Sequence, residues 1–189
     1  MQFSKSSLRK KAILERKKKY LKIKNFDFKK IFNLINKFFL KKNITIAGYY
    51  PSNHEVDIIK FLEEAYKKNF KIALPVINSS SKMCFKSWIF KDPLHVSKFG
   101  TLEPKKSNKD VLPDLILVPL VAFDNQLNRI GYGKGYYDRS LKKINKIKKK
   151  TISVGIAYSF QEFIKIPVNK HDVKLDYILT EQGIISSHQ

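Results

Sequence analysis

The run Leu115-Ile-Leu-Val-Pro119 is apolar at every position and closes on a proline. A strand that meets water on one face alternates apolar and polar residues, whereas a strand covered on both faces has no reason to alternate. This run therefore requires apolar cover on two sides, which a parallel sheet between helical layers supplies. Its neighbours fit that requirement. Residues 44–50, 71–75, 151–157 and 176–179 read as short β-rich runs, and residues 83–90, with Phe85, Trp88 and Phe90, read as extended. Segments of helical period lie between them. Residues 4–24 turn Leu8, Ala12 and Ile13 inward, and Phe28, Ile31, Phe32, Ile35, Phe38 and Phe39 form one apolar stripe. Residues 56–66 repeat through Ile59, Leu62 and Tyr66, and residues 135–147 read as a further helix.

With no internal repeat and no Pro- or Gly-rich linker, residues 1–189 are expected to form one α/β domain. The expected architecture is a mostly parallel sheet flanked by helices, Rossmann-like and three-layered. Ligands in such sheets bind beyond the carboxyl ends of the strands. The loops after Tyr50, Pro75, Pro119 and Ala157 are where chemistry is expected.

A hydrophobic content of 43%, with 14 Phe and 9 Tyr, excludes a wholly disordered chain. The single Cys84 excludes a disulfide framework and any multi-cysteine zinc site, and suits a reducing compartment. With no companion for nucleophilic chemistry it reads as buried and inert. The formal net charge is +22, from 38 Lys and Arg against 16 Asp and Glu, which points to anionic partners. The excess is almost all Lys in a background of Ile, Asn, Phe and Tyr, types written by A- and T-rich codons, so base composition accounts for much of it. It is concentrated in residues 1–43, where only Glu15 and Asp27 are acidic, and in the six lysines of residues 142–150. Neither cluster has the Arg and Gly lacing of a dedicated nucleic-acid tail. No stretch approaches the roughly 18 apolar residues of a membrane span, and Lys10, Lys11, Glu15 and Arg16 interrupt any signal-peptide core. The expected compartment is the cytoplasm.

The loop after Pro119 is the richest part of the chain. It reads Val121-Ala-Phe-Asp124, then Asn128-Arg-Ile-Gly131-Tyr-Gly133-Lys-Gly135-Tyr-Tyr137-Asp138-Arg139. Three glycines at alternate positions leave backbone N–H groups unshielded, so a phosphate can approach closely. Arg129 and Lys134 add a fork and a point charge, and the helix that follows adds the partial positive charge of its N-terminus. Asp138, near its first turn, suits Mg²⁺ held through water or phosphate. The P-loop pattern, Gly-x-x-x-x-Gly-Lys-Ser/Thr, is not met, nor is the dinucleotide pattern, since Tyr136 stands where its third glycine belongs. Taken alone, the loop is either a phosphate cradle or a tight glycine turn with solvated charges.

These residues resemble the 5-formyltetrahydrofolate cyclo-ligase (5,10-methenyltetrahydrofolate synthetase) family. The resemblance rests on Arg129-x-Gly131-x-Gly133-Lys134-Gly135-Tyr136-Tyr137-Asp138 after Val118-Pro119-x-Val121-Ala-Phe-Asp124. Five further segments match in order: Lys5-Ser-Ser-Leu8-Arg9; Tyr50-Pro-Ser-Asn-His-Glu55-Val56 with Leu74-Pro75; Met83-x-Phe85 with Trp88; Gly100-Thr-Leu-Glu103-Pro104; and Gln161, Pro167, His171-Asp172 and Leu179-Thr180-Glu181. The chain departs from the family at Ile58, where Thr is frequent, and at Thr101.

The resemblance implies a ligase of one-carbon folate metabolism that uses ATP and Mg²⁺ as cofactors and forms 5,10-methenyltetrahydrofolate from 5-formyltetrahydrofolate. It implies nucleotide contacts from Lys5, Ser6, Ser7, Leu8 and Arg9 and from Arg129, Ile130, Gly131, Tyr132, Gly133, Lys134, Gly135, Tyr136 and Tyr137. It implies folate contacts from Arg9, Tyr50, Glu55, Trp88, Tyr132, Gly133, Lys134, Gly135 and Tyr136, the last a flat surface for a pterin. Arg129, Lys134 and Tyr136 take the catalytic roles, and Asp138 and Asp172 the metal. Taken alone, Glu55 also fits a first-turn helix acid, Trp88 a core aromatic, Asp172 an ordinary polar turn and His54 a solvated side chain. The expected partner is a folate, polyglutamylated or not, bound by a monomer with no membrane and no specific nucleic acid. The competing reading is a basic RNA-binding protein, with basic and aromatic residues gathered on one strand face.

Overall fold

The computed structural model describes residues 4–23, 25–40, 43–78, 82–148 and 151–187. In chain order its strands are β1 (Thr45–Ala47), β2 (Lys71–Ile77), β3 (Met83–Ser87), β4 (His95–Val96), β5 (Leu102–Glu103), β6 (Asp110–Val111), β7 (Leu115–Pro119), β8 (Ala122–Phe123), β9 (Arg129–Ile130), β10 (Ile152–Ile156), β11 (Tyr177–Thr180) and β12 (Gly183–Ser186). The α-helices are α1 (Lys5–Lys19), α2 (Lys29–Phe38), α3 (Ile59–Lys67) and α4 (Tyr136–Ile147). The main sheet has the order β12-β11-β10-β7-β1-β2-β3-β6. Its inner strands β11, β10, β7, β1 and β2 run parallel, while β12, β3 and β6 join antiparallel. The mostly parallel sheet expected from the sequence is therefore present.

Strand β7 satisfies the requirement that its sequence set. Leu115 and Leu117 enter the core formed with Ile31 and Ile35 of α2 and Phe61 and Leu62 of α3. Ile116 and Val118 point the other way, to Leu141 and Ile144 of α4. Helix α1 belongs to neither layer; its Leu8 and Ala12 pack with Ala122 and Ile130 of the β8–β9 ribbon and with Ile166.

Some local expectations are corrected. Helix α1 ends at Lys19 and gives way to a 3₁₀ turn at Tyr20–Lys22, while Lys24 lies outside the described residues. Its buried row is Leu8, Ala12 and Arg16, spaced four apart; Ile13 is only partly covered. Helix α3 starts at Ile59; Phe61, Leu62 and Ala65 are its buried residues, Ile59 packs against the core only partly covered, and Tyr66 is exposed. Both phases of that segment are apolar, and the one that buries the Phe61 ring leaves the Tyr66 hydroxyl with water. Cys84 is half-buried, because β3 near the sheet edge is covered only by the two-residue β6; burial still pushes its thiol up, away from the reactive thiolate.

The topology fixes where a ligand can go. β1 has β2 on one side and β7 on the other. The connection β1–α3–β2 lies on one face and β7–α4–β10 on the opposite face, as right-handed crossovers running in opposite directions require. The two connections thus part beyond the carboxyl ends of β1 and β7, leaving a crevice. Among the described residues no helix is long and apolar enough to cross a membrane.

Candidate active site

A cleft of about 710 Å³ opens at that switch point, lined by Tyr49 and Tyr50 after β1, Pro75 and Ile77 of β2, and Pro119 of β7. The glycine turn between β9 and α4 forms one wall. Gly133 and Gly135 have φ of 97° and 65°, where an L side chain is strained. Space is short as well: a Cβ on Gly133 would lie 3.3 Å from Cζ of Arg9, and one on Gly135 2.9 Å from Nη1 of Arg139. Two guanidinium groups therefore press on the turn. Arg9 donates from Nε to the Gly131 carbonyl at 2.7 Å, and Arg139 from Nη2 to the Lys134 carbonyl at 2.8 Å. Gly135 caps α4 without a side-chain hydrogen bond, so the helix presents its positive end to the cleft. With exposed Lys134 at the rim, this wall suits a polyanion.

Below the turn, Arg129 is buried; its Nη2 donates to Oδ1 of Asp138 at 2.8 Å and its Nη1 to the Val173 carbonyl. Desolvation lowers the Arg129 guanidinium value, and the charges of Asp138 and Asp172 oppose that shift. Asp172 pairs through Oδ2 with Lys5 and accepts from the Asn169 N–H at 2.7 Å. Each carboxylate thus engages the protein through one oxygen in these bonds. Among the described residues no third His, Cys or carboxylate joins them as a metal cluster. That donor set fits Mg²⁺, which takes one or two carboxylates and completes its shell with phosphate and water.

The opposite wall holds Glu55. Asn53 and His54, both left-handed (φ 49° and 61°), bend the chain so that Glu55 closes its own turn, its Oε2 accepting from the Ser52 N–H at 2.9 Å. Its other oxygen accepts from the Tyr132 hydroxyl at 2.8 Å. Burial raises the Glu55 carboxyl, and the hydrogen bonds from Ser52 and Tyr132 and the Arg16 charge oppose that rise. Glu55 lies four residues ahead of α3, so its turn, not a helix dipole, holds it. Tyr49 donates to the Val56 carbonyl at 2.9 Å and anchors the same loop. Tyr136 meets Phe99 edge-on, and the Arg139 guanidinium lies 5.4 Å from its ring centre. The hydroxyls of Tyr136 and Tyr137 are buried with no hydrogen-bond partner among the described residues.

The sequence profile of the 5-formyltetrahydrofolate cyclo-ligase family matches residues 1–181. The chain belongs to that family. Among curated cyclo-ligases, that of Haemophilus influenzae is 35% identical over 140 residues, 71% of this chain and 74% of its own. That of Escherichia coli is 32% identical over 146 residues, covering 74% and 79%. The NMR structure of the Aquifex aeolicus 5,10-methenyltetrahydrofolate synthetase superposes with a TM-score of 0.75 at 32% identity, over 98% of this chain and 93% of that one. The synthetase of Mycoplasma pneumoniae gives 0.69 at 27% identity, over 95% and 99%.

Within this cyclo-ligase fold, Lys5, Arg9, Tyr50, Glu55, every residue from Arg129 to Asp138, and Asp172 line the one cleft. Ser6, Ser7 and Leu8 do not. A helix presents positions four apart to one side, so Lys5 and Arg9 face the cleft while Ser6 and Ser7 are exposed and Leu8 packs into the core. Trp88 is corrected from folate contact to core aromatic: it is 5% exposed, packs on Phe90, and donates its indole N–H to the Asp92 carbonyl. His54 is exposed as expected, against the Tyr20 ring. Sequence reading assigned no site role to Tyr49, Phe99, Glu103 or Arg139, all in the lining, or to Arg16 behind it. Arg139, one turn after Gly135 on the same helix, was the one that helical spacing could have found.

Proposed function

We propose that this protein converts 5-formyltetrahydrofolate to 5,10-methenyltetrahydrofolate with ATP and Mg²⁺, releasing ADP and phosphate. The observation that carries the reading is one cleft with a cationic glycine turn on one wall and a buried carboxylate on the other. A formamide oxygen is a poor leaving group, so the N10 amine cannot displace it unaided. In the proposed sequence the formyl oxygen attacks the γ-phosphorus and ADP departs, while the N5 lone pair makes an iminium phosphate. N10 then adds to that carbon, the C–O bond breaks to release phosphate, and N10 loses its proton. Such chemistry asks the protein for alignment and for charge placed against spreading phosphate negativity.

Lys5, Arg9, Arg129, Lys134 and the open N-terminus of α4 supply that charge. Glu55 receives the N–H edge of the pterin, and the Tyr136 ring, with Tyr50 and Tyr132, packs against it. Asp138 and Asp172 hold Mg²⁺, which when bound neutralises phosphate charge. The RNA-binding reading is not favoured: Phe26, Phe28, Phe32 and Phe61 pack ring against ring over the core instead of lying on an open strand face. The test is turnover of 5-formyltetrahydrofolate with Mg-ATP, followed by the near-ultraviolet absorbance of the conjugated methenyl product. Folded protein that yields no such absorbance overturns the proposal.

A further inference from the structure

Among 38 basic residues the chain has only four arginines, Arg9, Arg16, Arg129 and Arg139. Three line the cleft, and the fourth, Arg16 of α1, reaches its wall from behind. Arg16 is 1% exposed, and a guanidinium is placed so deep only when other groups receive its donors. Its Nη1 donates to the Leu120 carbonyl at 3.1 Å and its Nη2 to the Tyr132 hydroxyl oxygen, with the guanidinium carbon 5.7 Å from the Tyr132 ring centre. Its Nε finds no partner among the described residues. The Tyr132 hydroxyl lies 2.8 Å from Oε1 of Glu55.

The chemistry of the groups sets the direction of this relay. Arginine only donates, so the Tyr132 oxygen accepts from it, and the one phenolic proton is left for Glu55. Desolvation and the Glu55 charge hold the Tyr132 phenol far above its ordinary range, so that proton stays in place. The Ser52 N–H and hydroxyl fix the other Glu55 oxygen, at 2.9 and 3.3 Å. Around the carboxylate stand Ser52 in its own turn, Tyr132 of the glycine turn, Arg16 of α1, Tyr49 after β1 and Tyr137 of α4. Arg16 is the only cation among them.

We propose that Arg16 is the positioning residue of the folate pocket: by donating to the Tyr132 hydroxyl it commits that group's proton to Glu55 and holds the carboxylate aimed at the pterin N–H edge. The inference rests on the folate reading of the cleft. It also gives Tyr132 a role that its place in a phosphate-binding turn does not suggest, joining nucleotide wall to folate wall through one hydroxyl.

The test compares unaltered protein with Arg16→Met, Arg16→Lys and Tyr132→Phe, measuring kcat, KM for each substrate, and kcat/KM for folate against pH. Arg16→Met and Tyr132→Phe are expected to raise KM for 5-formyltetrahydrofolate about tenfold or more and KM for ATP by less than about twofold. Both are expected to move the acid limb of the folate profile to higher pH, because Glu55 loses a group that favours its charged form. Arg16→Lys, which keeps the cation, restores the limb towards its original position. The double variant Arg16→Met/Tyr132→Phe is expected to be little worse than either single change. A parallel rise in both KM values, or an unmoved limb, would mean that Arg16 only props the fold, and the inference would fall. Should Arg16→Met not fold, Tyr132→Phe decides, since it removes one oxygen at the cleft wall. Unaltered protein without turnover sinks the folate reading itself, whereas normal turnover with indifferent variants sinks only the relay.

Discussion

Glu55 combines two demands that conflict at a single residue: burial, which disfavours its charge, and the proposed ligand-binding role, which requires the charge. Burial raises its folded-state value above the unfolded one, so its ionisation works against the folded state. The stability it contributes is full below the unfolded carboxylate range and is lost as pH rises through the raised value. Glu55→Gln removes that titration. The melting temperature of the variant, relative to unaltered protein, should therefore climb as pH rises from about 4 towards neutrality. Thermal melts across that span check it, and a gap that ignores pH would refute it. The catalytic roles proposed for Lys134 and Arg129 separate from stability in a different way. Exposed Lys134 can be replaced by Ala with little change in melting, yet kcat should fall by about 2–4 kcal/mol of lost transition-state stabilisation. Arg129→Ala should show the same kinetic loss and also destabilise the fold by about 1–3 kcal/mol, because Asp138 and the Val173 carbonyl lose their partner. Kinetics that change KM alone would assign both residues to nucleotide docking.

At the scale of elements the glycine turn is the most demanding piece, since its backbone must be left-handed and a guanidinium must lie against it. Gly133→Ala meets both constraints at once, with φ of 97° and Arg9 within 3.3 Å of the new Cβ. Strain of about 1–2 kcal/mol is expected in the melt, together with a disproportionate loss of ATP affinity as Arg9 is displaced, read from KM for ATP. This turn was legible in the sequence because glycine periodicity is a local signal. β7 was legible to the residue for a similar reason: five apolar positions in a row admit one explanation, burial on both faces. Helix α3 was less so. Its segment is apolar in two phases, and only packing against Ile46 and Leu74 selects the one through Phe61 and Leu62. Two-residue strands such as β8 and β9 carry no period at all. Trp88 and Arg16 show the limit most plainly. Trp88 stood either as a folate contact, by resemblance, or as a core aromatic, and Arg16 only as a break in any signal-peptide core, because which side of a wall a residue occupies is decided by contacts distant in sequence. Arg16 meets Leu120 and Tyr132 across more than a hundred residues.

For the molecule as a whole, the open question is what a net charge of +22 does. The structure divides the cations into two populations. Lys5, Arg9, Arg129, Lys134, Arg139 and Lys142 line the cleft, where both proposed substrates are anions. The other described cations lie outside it, and some are structural: Lys148 reaches Oδ1 of Asp114 at 2.6 Å, and Asp114 in turn receives the Thr45 N–H at the start of β1. Neutralising the lysines of residues 146–150 together would mix charge with fold, and positions 149 and 150 lie outside the described residues. A cleaner set is Lys17, Lys18, Lys60 and Lys146, all exposed and outside the cleft lining. Their field reaches only about 8 Å at physiological salt and about 30 Å at 0.01 M, so it can steer anions at low ionic strength but cannot enter the chemical step. Replacing all four with Gln should leave kcat unchanged at every salt concentration. The same change should lower kcat/KM for folate at low salt by a few-fold, about what modest steering is worth, and flatten its salt dependence. A fall in kcat would mean that the distant charge acts in the chemistry, and an unchanged salt slope would leave the excess to base composition alone.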